Sequence, residues 1–163
     1  MGQRIMLVDD EEQLLHTMEV ALMMYGYSSI SFNRAADAFA RLIEAQAQDE
    51  NFNLLVTDIH MPGMDGCELL RKVREAAIKI PALLITGGEI SPELKRLIDE
   101  GMLLLRKPFT LQQFIDSVQA MSTTDFIVET ASPPLPKTAS AADDGRRNLM
   151  AFRLRISQHR RCL

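Results

Sequence analysis

The stretch Leu-Leu-Val-Thr-Asp-Ile-His-Met-Pro-Gly-Met-Asp-Gly, residues 54–66, decides the fold of this 163-residue chain. It opens with a short apolar run, becomes polar at Asp58, and continues through a loop that contains proline and glycine. Asp65 and Glu68 then have the spacing of a capping box, which is typical of the first turn of a helix. The stretch therefore predicts a buried β-strand, a loop and an α-helix in that order.

Similar apolar runs recur in the first 121 residues, at intervals that leave room for a helix between them. They occupy residues 5–8, 82–85 and 102–105, and like residues 54–56 they do not alternate with polar residues. Continuous apolar strands are typical of a parallel sheet that helices cover on both faces. Residues 28–32 do alternate, which predicts an edge strand with one solvated face.

Helical patterns lie between these strands. The predicted apolar stripes are Leu14, Met18, Ala21 and Tyr25; Ala35, Ala38, Phe39, Leu42 and Ile43; and Leu111, Phe114, Ile115, Val118 and Met121. Ser91-Pro92 and the pair Thr110 and Gln113 are typical helix starts. Five strand–helix units joined by right-handed crossovers predict a doubly wound α/β sandwich with a parallel sheet.

The composition is that of a soluble globular protein, with 47% hydrophobic and 25% charged residues. No run approaches the roughly 20 apolar residues that span a bilayer. The apolar run at the N-terminus ends at Asp9, which is not typical of a secretory signal. Cys67 and Cys162 are not spaced as a metal-binding or redox pair, so a cytoplasmic protein is expected. Cys67 is expected to pack at the start of the third helix.

Charge and periodicity divide the chain. Residues 1–121 contain 18 Asp and Glu and 11 Lys and Arg, a net charge of −7, which argues against a nucleic-acid-binding surface. The helical periodicity stops at residue 122. Residues 122–145, rich in proline, alanine and serine, are predicted to be a linker. Residues 146–163 form a short basic tail that is predicted to be disordered or truncated, because it cannot fold alone.

Polar side chains follow four of the predicted strands. Asp9 and Asp10 follow the first, Asp58 the third, Thr86 the fourth and Lys107 the fifth. Ligands of such sheets bind at the carboxyl ends of the strands, so these groups are expected to converge. Two carboxylates about 4 Å apart repel by roughly 4 kcal/mol at an effective dielectric near 20. Either some of these carboxylates stay protonated or a cation lies among them, and oxygen ligands with a phosphate suit Mg²⁺.

These residues resemble the receiver domain of two-component response regulators, the CheY-like family. The resemblance covers residues 3–121 and rests on Asp9-Asp10, Asp58, Thr86 and Lys107-Pro108, with Met61-Pro62, Met64, Asp65 and Gly66 in the loop. It implies a five-stranded sheet in the order 2-1-3-4-5. It also implies that Asp58 accepts a phosphoryl group from a histidine kinase or phosphotransfer protein.

The resemblance further assigns roles around Asp58. Asp10 and Asp58 would bind Mg²⁺ together with the backbone carbonyl of His60, and Asp9 would act largely through bound water. Thr86 and Lys107 would hold the phosphoryl oxygens, and the Lys107–Pro108 peptide would be cis.

Each of these residues also has a simpler interpretation. Asp10 and Asp65 can be helix caps, Thr86 a turn residue and Lys107 a solvated charge. For His60, the alternatives are a side chain that binds the metal and a loop residue that lies over the site.

Two positions depart from the family pattern. Leu104 stands where receivers commonly have an aromatic residue, so switching is expected to rely on Thr86 and the following loop instead. Gly87 and Gly88 follow Thr86, where a small non-glycine residue is common. Two glycines make this loop more adaptable.

Three classes of function remain open. The first is a stand-alone receiver that alters partner binding when phosphorylated, and the second is the receiver of a transcription regulator whose DNA-binding domain is absent from this chain. The third is a phosphatase or phosphotransferase, which would place a second Asp two residues after the nucleophile. His60 occupies that position, so no enzyme is expected beyond self-catalysed phosphoryl transfer and autodephosphorylation.

The expected output surface is formed by the fourth helix, fifth strand and fifth helix. Residues expected to be exposed there are Lys95, Arg96, Arg106, Gln112 and Asp116. A homodimer through this surface is allowed by family analogy. The basic tail, if ordered, would suit nucleic acid, an anionic membrane or an acidic partner.

Overall fold

The computed structural model describes residues 3–122, which form five strands and five helices in strict alternation. In chain order they are β1 (Arg4–Val8), α1 (Glu12–Met24), β2 (Ser28–Phe32), α2 (Ala35–Ala47), β3 (Leu54–Asp58), α3 (Gly66–Glu75), β4 (Ala82–Thr86), α4 (Pro92–Asp99), β5 (Leu103–Arg106) and α5 (Leu111–Ser122). This order confirms the predicted strand–helix units. The predicted linker and tail lie outside the described residues, apart from Ser122.

The five strands form one parallel sheet in the order β2-β1-β3-β4-β5, as predicted. The central strands β1, β3 and β4 are buried almost throughout, whereas β2 is half-exposed. The alternation of residues 28–32 had predicted this edge position. Because the strands are parallel, the residues that follow β1, β3, β4 and β5 lie at one edge of the sheet.

Alternate residues of β1, β3, β4 and β5 point into two separate apolar cores, whereas β2 contributes Ile30 and Phe32 to one of them. On one face, Met6, Leu55 and Leu84 pack with residues of α2, α3 and α4. On the other, Ile5 and Leu83 pack with residues of α1 and α5. Apolar area buried on both faces, at about 25 cal/mol per Å², provides the main driving force for folding.

Helix starts follow the predicted caps. The Asp65 carboxylate accepts a hydrogen bond from the Glu68 N–H at 2.7 Å, and the Ser91 hydroxyl accepts one from the Leu94 N–H at 3.1 Å. Thr110 and Gln113 form a reciprocal capping box at the start of α5. These side chains satisfy backbone N–H groups that have no partner within the helix.

The helix faces differ from the predicted stripes at their ends. Tyr25 lies just beyond α1 and is 48% exposed, and α1 buries Leu15 and Leu22 instead. Ile43 is 39% exposed, and Ala45 takes its place in the core. Leu111, the first residue of α5, is also exposed, because a helix end extends beyond the sheet. None of the described helices is long and apolar enough to cross a membrane.

Candidate functional site

Loops at the carboxyl edge of the sheet bring the predicted site residues together. Asp9 and Asp10 directly follow β1, Asp58 and Thr86 are the last residues of β3 and β4, and Lys107 directly follows β5. One carboxylate oxygen from each of Asp9, Asp10 and Asp58 lies within 4.8 Å of the others. The structure therefore forms the acidic cluster that the strand ends predict.

Lys107 lies between two of the carboxylates. Its Nζ atom donates hydrogen bonds of 2.8 Å to Asp9 Oδ2 and to Asp58 Oδ2. The Asp9 side chain is fully buried, and residue Asp58 is only 5% exposed. Three carboxylates and one ammonium group carry a formal charge of −2, so a divalent cation would neutralise the cluster.

Burial and pairing change the ionisation of this cluster. Burial raises the pKa of Asp9 above its ordinary value, although hydrogen bonds from Lys107 and from the Glu11 N–H partly oppose the shift. For Lys107, burial lowers the pKa, but the hydrogen bonds to Asp58 and Asp9 outweigh it and the net shift is upward. Lys107 is therefore protonated at neutral pH and remains a cation in the site.

The three carboxylates fit a hard divalent cation. All three offer oxygen ligands, and Asp10 is exposed, which leaves a path from solvent. Asp10 does not cap α1, because the N-cap residue of this helix is Glu11. The Glu11 N–H donates a hydrogen bond of 2.8 Å to Asp9 Oδ1, not to Asp10. Asp10 thus remains available to a metal, and the simpler interpretation as a cap is wrong.

His60 lies in the loop after β3, beside Asp58, and its ring contacts Thr86. Its Nδ1 atom is 3.2 Å from the Thr86 hydroxyl oxygen, and its backbone N–H donates to Asp58 Oδ1 at 3.2 Å. Among the described residues, the cluster that could hold a metal does not include His60. The bond to Thr86 was not predicted, and metal binding by the His60 backbone carbonyl stays a prediction.

The loop after β3 depends on a glycine. A Cβ atom at Gly66 would lie 2.2 Å from the carbonyl oxygen of Asp58, a distance that no side chain tolerates. The Gly66 N–H donates to the carbonyl of Ile59 at 3.1 Å. Gly66 thus lets α3 begin against the backbone of Asp58.

Lys107 is positioned by the neighbouring strand. Its N–H donates to the Thr86 carbonyl at 2.8 Å, and the Lys107–Pro108 peptide is cis, as predicted.

Leu104 is half-buried and packs against the core under α2, α3 and α4. The residues predicted to be exposed on α4, β5 and α5 are all exposed: Lys95, Arg96, Arg106, Gln112 and Asp116.

Comparison with known proteins agrees with this geometry. Residues 5–119 match the family model described as the response regulator receiver domain. The chain is 34% identical to the response regulator receiver protein CpdR of Brucella abortus (strain 2308) over 122 residues, 73% of this chain and 96% of CpdR.

Longer regulators are similar over one part of their length. The C4-dicarboxylate transport transcriptional regulatory protein DctD of Rhizobium meliloti (strain 1021) is 31% identical over 143 residues, 86% of this chain but only 30% of DctD. The crystal structure of FixJ-N superimposes with a TM-score of 0.63 at 30% identity, covering 75% of this chain and 94% of that chain.

Proposed function

The chain belongs to the response regulator receiver domain family of two-component systems, and we propose that Asp58 is its phosphoacceptor. The observation that supports this proposal is the environment of Asp58 at the end of β3. Its carboxylate receives the Lys107 ammonium group at 2.8 Å and lies within the cluster formed with Asp9 and Asp10. No other carboxylate of the described cluster ends a central strand.

The phosphoryl donor is a histidine kinase or a phosphotransfer protein. An oxygen of Asp58 attacks the phosphorus atom, and the bond from phosphorus to the donor's imidazole nitrogen breaks. The electron pair of that bond returns to the imidazole, and the product is an aspartyl phosphate. The other ring nitrogen of the donor histidine carries a proton, so the donor leaves as a neutral imidazole, and charge and atoms balance without a further reactant.

Asp10 and Asp58, together with the backbone carbonyl of His60, would hold Mg²⁺, and Asp9 would act largely through water. When bound, Mg²⁺ offsets the repulsion between the carboxylates and the incoming phosphoryl oxygens. Asp9 additionally holds Lys107, since its two oxygens are bonded to the Glu11 N–H and to Lys107 Nζ. The donor chemistry of the three carboxylates supports this assignment.

Thr86 and Lys107 bind the oxygens of the transferred phosphoryl group. Lys107 is cationic and adjacent to Asp58, so it stabilises the charge on the phosphoryl oxygens. The Thr86 hydroxyl lies at the end of the neighbouring strand β4 and donates a hydrogen bond to another of these oxygens. The site transfers the group to itself and loses it by autodephosphorylation, and it does not turn over free phosphate esters.

The phosphorylated form binds an output protein through α4, β5 and α5 in the cytoplasm. The exposed charges on this surface are of both signs: Lys95, Arg96 and Arg106 are basic, and Glu93, Asp99 and Asp116 are acidic. A homodimer through the same surface is an alternative mode of output. The stand-alone receiver is proposed by analogy with CpdR, of which the match covers 96%.

A second candidate is the receiver of a transcription regulator. DctD and FixJ are named transcriptional regulatory proteins, and the chain spans 30% and 55% of them. In that case the DNA-binding output domain would lie beyond this chain. A longer reading frame that encodes such a domain would favour this candidate over the stand-alone receiver.

Intact mass spectrometry tests the phosphoacceptor directly. The full chain is incubated with acetyl phosphate and Mg²⁺, quenched rapidly, and compared with Asp58→Asn and with Asp65→Asn as a matched control. We expect one added phosphoryl group in the wild type and in Asp65→Asn, which changes a cap in the same loop. We expect none in Asp58→Asn or without the metal. An adduct of equal yield in Asp58→Asn would refute the proposal.

A further inference from the structure

The Thr86 hydroxyl already has two partners in this structure. Its oxygen lies 3.2 Å from His60 Nδ1 and accepts a hydrogen bond of 3.2 Å from the Gly88 N–H. A hydroxyl has one proton and two lone pairs. When His60 Nδ1 carries no proton, it accepts the single proton of the Thr86 hydroxyl. The bond then competes with any further acceptor for the proton of this fully buried side chain.

Gly88 provides the space for the His60 ring. A Cβ atom at Gly88 would lie 2.7 Å from His60 Cε1 and 2.9 Å from Nε2, so the ring packs directly on the glycine backbone. At Gly87, a Cβ atom would meet only the Lys107 side chain, at an ordinary 3.5 Å. The backbone of Gly88 is not in the left-handed region, so the lack of a side chain is what matters here.

Contacts continue from Gly88 to the exposed edge of β5. The Arg106 guanidinium donates a hydrogen bond of 3.2 Å to the Gly88 carbonyl. Arg106 is also the register partner of Thr86 in the sheet. A movement of the His60 ring on Gly88 would therefore change the surroundings of an exposed arginine.

We propose that His60 is a positioning residue, whose ring holds the Thr86 hydroxyl beside Gly88. The ring releases the hydroxyl when a phosphoryl oxygen replaces His60 Nδ1 as the hydrogen-bond partner of Thr86. This inference rests on the proposed function, in which Thr86 binds the phosphoryl group. It has two consequences. The contact slows phosphorylation, and its release moves the ring from Gly88 and alters the Arg106 contact.

A double-mutant cycle tests the contact before any phosphoryl transfer. Amide resonances of Thr86 and Arg106 are compared by NMR in the wild type, Gly88→Ala, His60→Ala and the double variant, all in the full chain. We expect Gly88→Ala to shift both resonances when His60 is present, because the new methyl group displaces the ring. We expect much smaller shifts when His60 is replaced by alanine. Equal shifts in the two backgrounds would overturn the proposal.

Rates of phosphorylation test the competition for Thr86. His60→Phe keeps a ring but removes Nδ1, whereas His60→Asn places a side-chain amide near the position of Nδ1. With acetyl phosphate and Mg²⁺, we expect His60→Phe to react about two- to tenfold faster than the wild type, the range that one hydrogen bond provides. We expect His60→Asn to restore most of the slower rate.

The outcomes separate this inference from the proposed function. If the wild type is phosphorylated and His60→Phe reacts at the wild-type rate, or His60→Asn reacts as fast as His60→Phe, the positioning role is wrong and Asp58 remains the phosphoacceptor. Phosphorylation that leaves the His60 ring and Arg106 resonances unmoved would likewise overturn the release step. A wild type that accepts no phosphoryl group would refute the proposed function and the release step, while the cycle still tests the contact with Gly88.

Discussion

Gly66 is the glycine of the site at which the neighbouring backbone leaves least room for a side chain. Alanine usually stabilises a helix by about 1 kcal/mol relative to glycine, but a Cβ atom here would lie 2.2 Å from the Asp58 carbonyl oxygen. We expect Gly66→Ala to lower the free energy of unfolding by about 1–3 kcal/mol, the usual range for overpacking. Phosphorylation of Asp58 should slow as well.

Gly87→Ala is the matched control for this prediction, because its Cβ atom would meet Lys107 at an ordinary contact distance. Urea denaturation of the two variants should show a change within about 0.5 kcal/mol for Gly87→Ala. Equal stability of Gly66→Ala and the wild type would mean that the loop after β3 can shift without cost.

Cys67 should be chemically inert despite being a free thiol. It is buried at the start of α3, and burial, followed by the charges of Asp65 and Glu93, raises its pKa to about 11. In a Cys162→Ser variant at pH 8, we expect its reaction with a disulfide reagent to be about a hundredfold slower than that of an exposed thiol. Denaturant should abolish the difference. Fast reaction in the folded protein would show that the thiol is accessible.

The sequence predicts single residues well where local order and chemistry suffice. Asp58 and Thr86 each end an apolar run, so their place at the sheet edge follows from the strands alone. The His60–Thr86 bond could not be predicted, because it joins the loop after β3 to the end of β4 and depends on the space left by Gly88. The only signal was a matched spacing: His60 lies two residues after Asp58, and Gly88 two residues after Thr86.

Among the elements, β1, α2 and the loop before β3 are joined by one acidic residue. Glu50 pairs with Arg4 at 3.0 Å and with Arg41, and both guanidinium groups lie over the Phe52 ring. Hydrogen bonds from Arg41 and then Arg4 hold the pKa of Glu50 below its ordinary value of 4.5. The folded state therefore favours the charged form.

This shift predicts a pH-dependent contribution to stability. Because the pKa is lower in the folded state, the stability that Glu50 provides is fully present above about pH 4.5. It is lost as the pH falls through the folded-state pKa. We expect Glu50→Gln to be less stable than the wild type at pH 7, and the difference to vanish in acid, as measured by thermal denaturation. Glu44→Gln, on the exposed face of α2, is the control. A difference that persists unchanged at low pH would contradict the assignment.

Element types were easier to predict than helix faces. Strands such as residues 54–58 and 82–86 follow from continuous apolar runs. The predicted stripe of α1 includes Leu14, which is partly buried against the core, but it runs too far at Tyr25. Periodicity alone does not fix where a helix ends relative to the sheet. Leu15 and Leu22 lie in the core instead.

For the whole molecule, the two apolar cores define the unit that should fold. Both consist of residues between Ile5 and Met121, and the family match ends at residue 119. We expect a chain that ends at Ser122 to have the melting temperature of the full chain and the same rate of phosphorylation by acetyl phosphate. Calorimetry measures the melting temperature, and mass spectrometry measures the rate of phosphorylation. A free energy of unfolding lower by more than about 1 kcal/mol in the shortened chain would show that residues 123–163 contribute to the fold.

The proposed function depends on the claim that Asp58 is the phosphorylated residue. Borohydride reduces an aspartyl phosphate to homoserine, so reduction after incubation with a phosphoryl donor and Mg²⁺ marks the acceptor permanently. Peptide mapping of the reduced full chain by mass spectrometry then gives its position. We predict homoserine at position 58 and unmodified Asp9 and Asp10. Homoserine at either of those two positions, or a phosphorylated chain without reduction at Asp58, would contradict the claim.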